Sequence, residues 1–346
     1  MFRVSLVNRA TALEIRPYRD TDEAGVLDLL SLTLGGGPAG RRPPEFFRWK
    51  HLESPFGPSH MLVAEVDGRI VGLRAFMRWR FLAGEREVAA VRAVDTATHP
   101  EHQGRGIFSR LTRQAVGDLR DEVDLVFNTP NEKSLPGYLK MGWTVVGRLH
   151  VDVRVRRPLS VARELRHLRI TAEPGRPRPD VRAERAAHAL GDPGLTRLLS
   201  AASEGSGRSL VTPRNAEFLT WRYGSAPLLD YRAVRQHAGG ELVGIALFRV
   251  RPRGRLWETS VAEAIVRPGD ARSARRLLAA VVHAAPVDHV ACRFPAMSAA
   301  ARGARRNGAV RGPWGVTLIA NPLREIRPDP LRIGSWGVSL GDLEVF

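Results

Sequence analysis

Cysteine is all but absent: Cys292 is the one thiol in 346 residues. That excludes an internal disulfide and any zinc site built on paired thiolates, and it fits a reducing compartment, the cytoplasm. Long apolar runs are missing too. Residues 1 to 12 carry Arg3 and Arg9 but no run of signal-peptide length, and nothing later approaches the roughly 18 apolar residues of a membrane span. No membrane partner is expected. Aromatic residues are only 7% of the chain and sit mainly in apolar runs, so the rings interleaved with a basic stripe that mark a nucleic-acid surface are lacking. Acidic residues are outnumbered, leaving a formal charge of +17. This charge admits an anionic or phosphorylated partner, yet the arginines are scattered through every segment, as base composition alone would scatter them.

What is present suffices for a core. Hydrophobic residues at 43% and charged residues at 26% are the proportions of a globular protein, and the length suits two ordinary domains. Leu13 to Arg16 reads as a strand, and the series Val26, Leu27, Leu29, Leu30 behind Asp20 and Asp22 as a helix. Glu45 to His51 is a short aromatic helix. Asp67-Gly68 joins strands Met61–Val66 and Arg69–Arg80 as a hairpin, and Val88 to Thr98 is a further strand. A helix from about Gly106 to Leu119, a strand Val123–Phe127 and a helix Ser134–Lys140 ending at Gly142 complete a mixed α/β order. The Pro- and Arg-rich stretch 156–195, with its run Glu173 to Asp180, reads as a linker between a domain at 1–155 and another at 196–346.

A repeat supports that division. Glu45, Phe46, Trp49, Pro55, Gly68, Val71, Gly72 and Phe76 recur 172 residues on as Glu217, Phe218, Trp221, Pro227, Gly240, Val243, Gly244 and Phe248. The second half is therefore expected to be a diverged copy of the first fold.

The chemistry concentrates at Thr98 to Leu111, a strand end, a glycine-bearing loop and a helix start. Such a loop aims amides at an anion, and the helix N-terminus adds partial positive charge. The run resembles the pyrophosphate signature of the GNAT acetyltransferase superfamily, Gln/Arg-x-x-Gly-x-Gly/Ala, with Gln103 and Gly106 in the first defined places and Phe108 departing from the last. Phe108 must then point away from the phosphates. Asn131, Tyr138 and the closing Lys140-Met-Gly142-Trp143 resemble the family's second block at matching spacing.

The resemblance implies acyl-CoA as co-substrate, no metal, and an α/β (α+β) fold of two tandem GNAT-like units, each a mixed, mainly antiparallel sheet flanked by helices. CoA is expected at Gln103, Gly104, Arg105, Gly106, Ile107, Phe108 and Ser109, with Asn131 on the pantetheine arm and Tyr138 protonating the departing thiolate. A strand bulge facing the acyl carbonyl is expected near Ala97 or Thr98. Asp95 is the candidate base or amine-orienting group. Each has a plainer reading: Asn131 as a helix cap, Tyr138 as a core residue, Asp95 as a strand-end carboxylate bonded to backbone. Arg105, Arg110 and Arg113 either reach the phosphates or are solvated. His99 and His102, without a carboxylate at ligand spacing, make a poor metal site.

In the second half, Val266 to Leu277 stands in the place of the phosphate loop without Gln-x-x-Gly, and Ala304 in the place of the Tyr. The expected activity is N-acyl transfer from acyl-CoA to a small-molecule or peptide amine. The alternative is a non-catalytic acyl-CoA sensor or basic-surface binding protein. Association into a homo-oligomer stays open.

Overall fold

The computed structural model describes residues 13–34, 43–167, 176–203 and 209–343. Residues 1 to 12 and the first three positions of the Pro-rich run, 173–175, lie outside these. The N-terminal section runs β1 (Glu14–Pro17), α1 (Glu23–Leu34), α2 (Pro44–His51), β2 (His60–Val66), β3 (Arg69–Ala83), β4 (Arg86–Thr98), α3 (Ile107–Asp118), β5 (Leu125–Asn128), α4 (Leu135–Lys140) and β6 (Thr144–Val155). Strands β1 to β4 are antiparallel neighbours, while β4 and β5 pair in parallel because α3 forms the crossover between them. Asp67 and Gly68 both take positive φ, at 51° and 76°, the geometry a two-residue hairpin asks for.

The chain then runs α5 (Pro158–His167), β7 (Glu184–Arg185), α6 (Ala186–Ala189), α7 (Leu195–Ser203), α8 (Ala216–Leu219), β8 (Tyr231–Ala238), β9 (Glu241–Arg253), β10 (Leu256–Val266), α9 (Ala271–His283), β11 (His289–Cys292), α10 (Ala299–Arg306), β12 (Val310–Pro322) and α11 (Leu340–Leu343). The stretch 156–195, expected as a linker, thus carries α5, β7 and α6 among its described residues. Strand β7 is hydrogen-bonded to β8.

All twelve strands join one sheet, in the order β1-β2-β3-β4-β5-β12-β6-β11-β10-β9-β8-β7. The two sections exchange their last strands. β12 pairs with β5 through Ile319–Pro322, and β6 lies between β12 and β11. Separate units at 1–155 and 196–346 are not what the sheet contains, since neither section is closed by its own final strand. The strand pattern specifies which face of a strand is buried, not whose edge it joins.

The eight repeated residues occupy matching places in the two sections. Gly68 and Gly240 turn the β2–β3 and β8–β9 hairpins at φ 76° and 82°, and Phe76 and Phe248 are fully buried. Gly72 lets α3 seat on β3, for a Cβ there would lie 2.8 Å from Ile107 Cγ2; a Cβ at Gly244 would meet Leu277 of α9 at 3.4 Å. Trp49 and Trp221 stack at 5.2 Å, and each indole N–H donates to the other's carbonyl oxygen, at 2.8 and 2.9 Å. One hydrophobic cluster holds Val26, Phe47 and Trp49 together with Phe218, Trp221 and Tyr231, so the two sections share a core. Among the described residues, no helix is long and apolar enough to cross a membrane.

Candidate active site at the splay of β4 and β5

The parallel pairing of β4 and β5 lasts only from Ala90–Arg92 to Leu125–Phe127. Beyond it β4 continues to Thr98 while β5 ends, opening a cleft at the carboxyl ends of two parallel strands. Arg92 sits at the vertex, fully buried. It donates to Thr129 Oγ1 at 2.9 Å, to Leu343 O at 3.1 Å and to Asp342 O. Burial, helped by the like charge of Arg222, pulls its pKa down to about 9.

The loop after β4 is a single turn, Pro100–His102, followed by Gln103 to Gly106. Gly104 and Gly106 take φ 75° and 73°, and a Cβ at either would meet nothing within 4 Å. The glycines therefore serve the left-handed backbone rather than lack of room. Gly106 is the N-cap of α3 and supplies no side-chain cap. Among the described residues, the amides of Gly104 to Ser109 find no acceptor in the protein, as expected of an open helix N-terminus. Gln103 to Gly106 are exposed, and Gln103 Nε2 ties the loop back to Thr98 O at 3.2 Å. Arg105, Arg110 and Arg113 are exposed around it, and Ile107 points inward onto β3.

Phe108 turns from the loop toward α4, as its size requires. A Cβ on Gly137 would lie 2.7 Å from its ring, and it meets the Tyr138 ring edge-on at 5.3 Å. Tyr138 is buried, and its OH accepts a hydrogen bond from Arg74 Nη1 at 2.8 Å. Asn131 Oδ1 accepts from the Ser134 amide at 2.9 Å and from Ser134 Oγ at 3.0 Å, closing the turn before α4, whose N-cap is Ser134 rather than Asn131. Its side-chain nitrogen points to no protein acceptor among the described residues.

The β4 bulge falls at Asp95, between Val94 and Thr96, rather than near Ala97 or Thr98. Those two residues are in ladder register with Leu73 and Gly72. Asp95 is also strained, at φ 32°. Its carboxylate is 2.7 Å from Lys50 Nζ and 2.8 Å from His51 Nε2, all three side chains being buried. His51 Nδ1 is bonded in turn to Ser59 Oγ at 3.0 Å. The strand-end carboxylate expected from sequence is thus a side-chain ion pair anchoring α2 to the bulge. Glu101, which the sequence reading did not join to the two histidines, lies with His99 and His102 so that one ligand atom from each falls within 4.8 Å of the others. The group is part of the turn, where His99 Nδ1 accepts from the Glu101 amide at 3.4 Å.

The matching place in the second section is built differently. The N-cap of α9 is Asp270, whose Oδ1 accepts from the Ser273 amide at 2.9 Å. That backbone bond holds the carboxyl below its usual range. Phe108, Gly137 and Tyr138 recur 166 residues on as Ala274, Gly303 and Ala304, and a Cβ on Gly303 would lie 2.8 Å from the Ala274 backbone. Where β10 and β11 part, Leu340 N donates to Arg293 O at 3.0 Å. The ion pair at the bulge has its own parallel: Lys50 and His51 recur as Arg222 and Tyr223, and Tyr223 OH donates to Glu263 Oε1 at 2.9 Å.

Arg74, Lys50 and His51 escaped the sequence reading. Arg74 had a signal, a lone arginine among apolar residues in Val71-Gly-Leu-Arg74-Ala-Phe76. Lys50 and His51 had none, lying at the end of a short aromatic helix.

The loop's open amides stand beside the point where β4 and β5 part. Residues 14–146 match the family described as acetyltransferase (GNAT) domain. Among solved structures, a conserved protein from Enterococcus faecalis, described as a probable N-acyltransferase, superposes with a TM-score of 0.61 at 14% identity, over 91% of this chain and 73% of that one. A GCN5-related N-acetyltransferase from Anabaena variabilis gives 0.61 at 11% identity, over 90% and 73%. Another from Kribbella flavida gives 0.58 at 16% identity, over 94% and 80%. At these identities the likeness is one of fold. Comparison with curated proteins gives no significant match. Residues 14–146 are thus similar to a GNAT acetyltransferase domain, and the chain shares with these structures a large, mostly antiparallel sheet flanked by helices.

Proposed function

We propose that the protein is an N-acyltransferase that moves an acetyl or similar acyl group from acyl-CoA to a small-molecule or peptide amine. The observation that carries this reading is the pairing of an uncapped run of amides at Gly104 to Ser109 with a buried phenol, Tyr138, which Phe108 of the same run meets at 5.3 Å. Helix N-termini of this kind hold phosphate. Gln103 steadies the loop, Arg105 is placed to reach a phosphate, and Asn131 offers its amide nitrogen to the pantetheine arm. Ala97 and Thr98 form the floor beside the thioester.

Amine attack on the thioester carbonyl requires stabilisation of an oxyanion and protonation of sulfur. Tyr138 is assigned the second task. Asp95 is assigned to orienting the amine, because its carboxylate already contacts Lys50 and His51 and is poorly placed to act as a free base. The second half is read as a diverged copy that has lost this chemistry, in support of which Asp270 puts a carboxylate where pyrophosphate would lie, and Ala304 stands for Tyr138. The catalytic unit is then residues 1–155 completed by β12. A reducing, cytoplasmic setting fits the lone, buried Cys292, whose thiol burial pushes up to about 12.

Calorimetry with acetyl-CoA should find one equivalent bound per chain, and thiol release against a panel of amines should reveal turnover. Two equivalents would overturn the lost-copy reading. Tight binding with no thiol released for any amine would overturn the enzyme reading in favour of an acyl-CoA sensor.

A further inference from the structure

Arg74 is among the largest side chains with no exposure to solvent. It lies under three rings, its guanidinium carbon 4.5 Å from the centre of Phe76, 5.3 Å from Tyr138 and 5.9 Å from Phe108. Nη1 donates to Tyr138 OH at 2.8 Å and to Thr96 Oγ1. Its Nε and Nη2 are buried without any hydrogen-bond partner, and among the described residues no carboxylate pairs with it. A buried cation left in this condition is costly. An apolar residue would serve the core better, so stability does not account for it.

The second section shows what the same place looks like without it. Arg74 lies between Gly72 and Phe76, and 172 residues on Ala246 lies between Gly244 and Phe248. Glycine and phenylalanine are kept and the arginine is not. Its two aromatic neighbours go with it, since Phe108 and Tyr138 correspond to Ala274 and Ala304, and all three alanines are buried. Meanwhile the acid-to-ring contact at the bulge persists as Glu263 with Tyr223. What is retained in both sections is scaffold. Arg74, Phe108 and Tyr138 vary as a set.

We propose that Arg74 is a positioning residue for the acid step, an inference that rests on the acyltransferase reading above. Because Nη1–H donates to the phenol oxygen, the phenol's own hydrogen must point elsewhere, and it is assigned to the thioester sulfur. The amine nitrogen attacks the carbonyl carbon, and the tetrahedral adduct collapses with the C–S electron pair leaving on sulfur. Tyr138 gives its proton to that sulfur, releasing CoA as the thiol. The phenolate left behind is stabilised by the fixed positive charge 2.8 Å away, which in a dry site counts for far more than in water. The proton shed by the acceptor nitrogen returns through solvent to restore the phenol.

The test uses the full chain with Arg74→Met, Arg74→Lys, Tyr138→Phe and the Arg74→Met/Tyr138→Phe pair. Acetyl-CoA is the donor, with the best amine from the panel. In Arg74→Met, kcat should fall at least about tenfold, a fraction of the roughly 10²- to 10⁴-fold that general acid catalysis supplies, with the dissociation constant for acetyl-CoA within twofold. The melting temperature should hold or rise, since an unpaired buried cation has been removed. Arg74→Lys should recover part of the rate, and the double variant should be no slower than Tyr138→Phe alone. Unchanged kcat in Arg74→Met, a rate loss that tracks a fall in melting temperature, or multiplied losses in the double variant would each overturn the proposal. A wild-type protein that transfers no acyl group fails at the earlier step and removes the reading on which Arg74 rests. An active wild type with an indifferent Arg74 fails here alone.

Discussion

The helices α3 and α9 occupy matching places in the two sections and begin in opposite ways. α3 starts at Gly106, with a left-handed backbone and no side chain over its open amides. α9 starts at Asp270, whose carboxylate already fills its N-terminus. Both satisfy the same need, since the first turn of any helix leaves amides that require an acceptor. A side-chain cap meets that need internally and stabilises the helix; a glycine leaves it for a ligand to meet. Within one chain, one crossover helix thus begins closed by its own side chain and the other begins open.

Four outcomes would break or sharpen this contrast, beginning with the largest. A fragment of residues 1–155 lacks β11 and β12, so β5 keeps β4 but loses its other neighbour, and β6 loses both of its own. It should aggregate and show no cooperative melt by size exclusion and circular dichroism, because an unpaired apolar edge is an association site. A soluble, two-state fragment would mean that the sections are independent after all.

Next comes Gly106→Glu, which places a carboxylate on α3 much as Asp270 does on α9. It should weaken acetyl-CoA binding by about 100-fold or more, through repulsion and competition for the same amides. Calorimetry reads this directly, and undiminished affinity would put the CoA site elsewhere.

The bulge carboxylates should matter for folding in both sections. Asp95→Asn should cost about 3 kcal/mol or more in urea unfolding, the usual penalty for breaking a buried pair. Glu263→Gln should cost less, since Arg214 retains Asp342 at 2.7 Å. A folded Asp95→Asn of unchanged stability but lost turnover would keep the amine-orienting role proposed for Asp95 and remove its role as an anchor.

The smallest effect is expected of Asp270→Ala, about 1 kcal/mol at neutral pH, as for other helix caps. The folded carboxyl lies below its usual range, so its contribution is present above the unfolded-state pKa and lost as pH falls through the folded one. The penalty should therefore shrink in acid, and a pH-independent difference in unfolding free energy would show that the cap's charge is not involved. No second equivalent of CoA should appear in this variant, because Ala304 and the closed contact between Gly303 and Ala274 remain.

Much of the local geometry around the candidate site was legible. Gln103, Gly106, Asn131 and Tyr138 stand at spacings that a strand, loop and helix impose, and in the structure Phe108, in the first turn of α3, meets Tyr138 at 5.3 Å. The displacement of the bulge by two or three residues, from Ala97 or Thr98 to Asp95, was not legible: a bulge depends on how two strands register, and the sequence of one strand does not fix that register. Arg74 was half legible. Its burial could be guessed from the apolar run around it, but its partner, Tyr138, lies 64 residues away.

From its own pattern of apolar periods, hairpin turns and glycines, the chain determined where its strands and helices fall, the Gly104–Ser109 loop, and the 172-residue echo, since each arises from neighbours within a few turns of one another. Tertiary structure alone decided that β6 and β12 trade places, that Trp49 and Trp221 clasp, and that Arg74 meets Tyr138. These are pairings among elements with equally suitable edges and faces, and only the packing of the whole sheet selects between them.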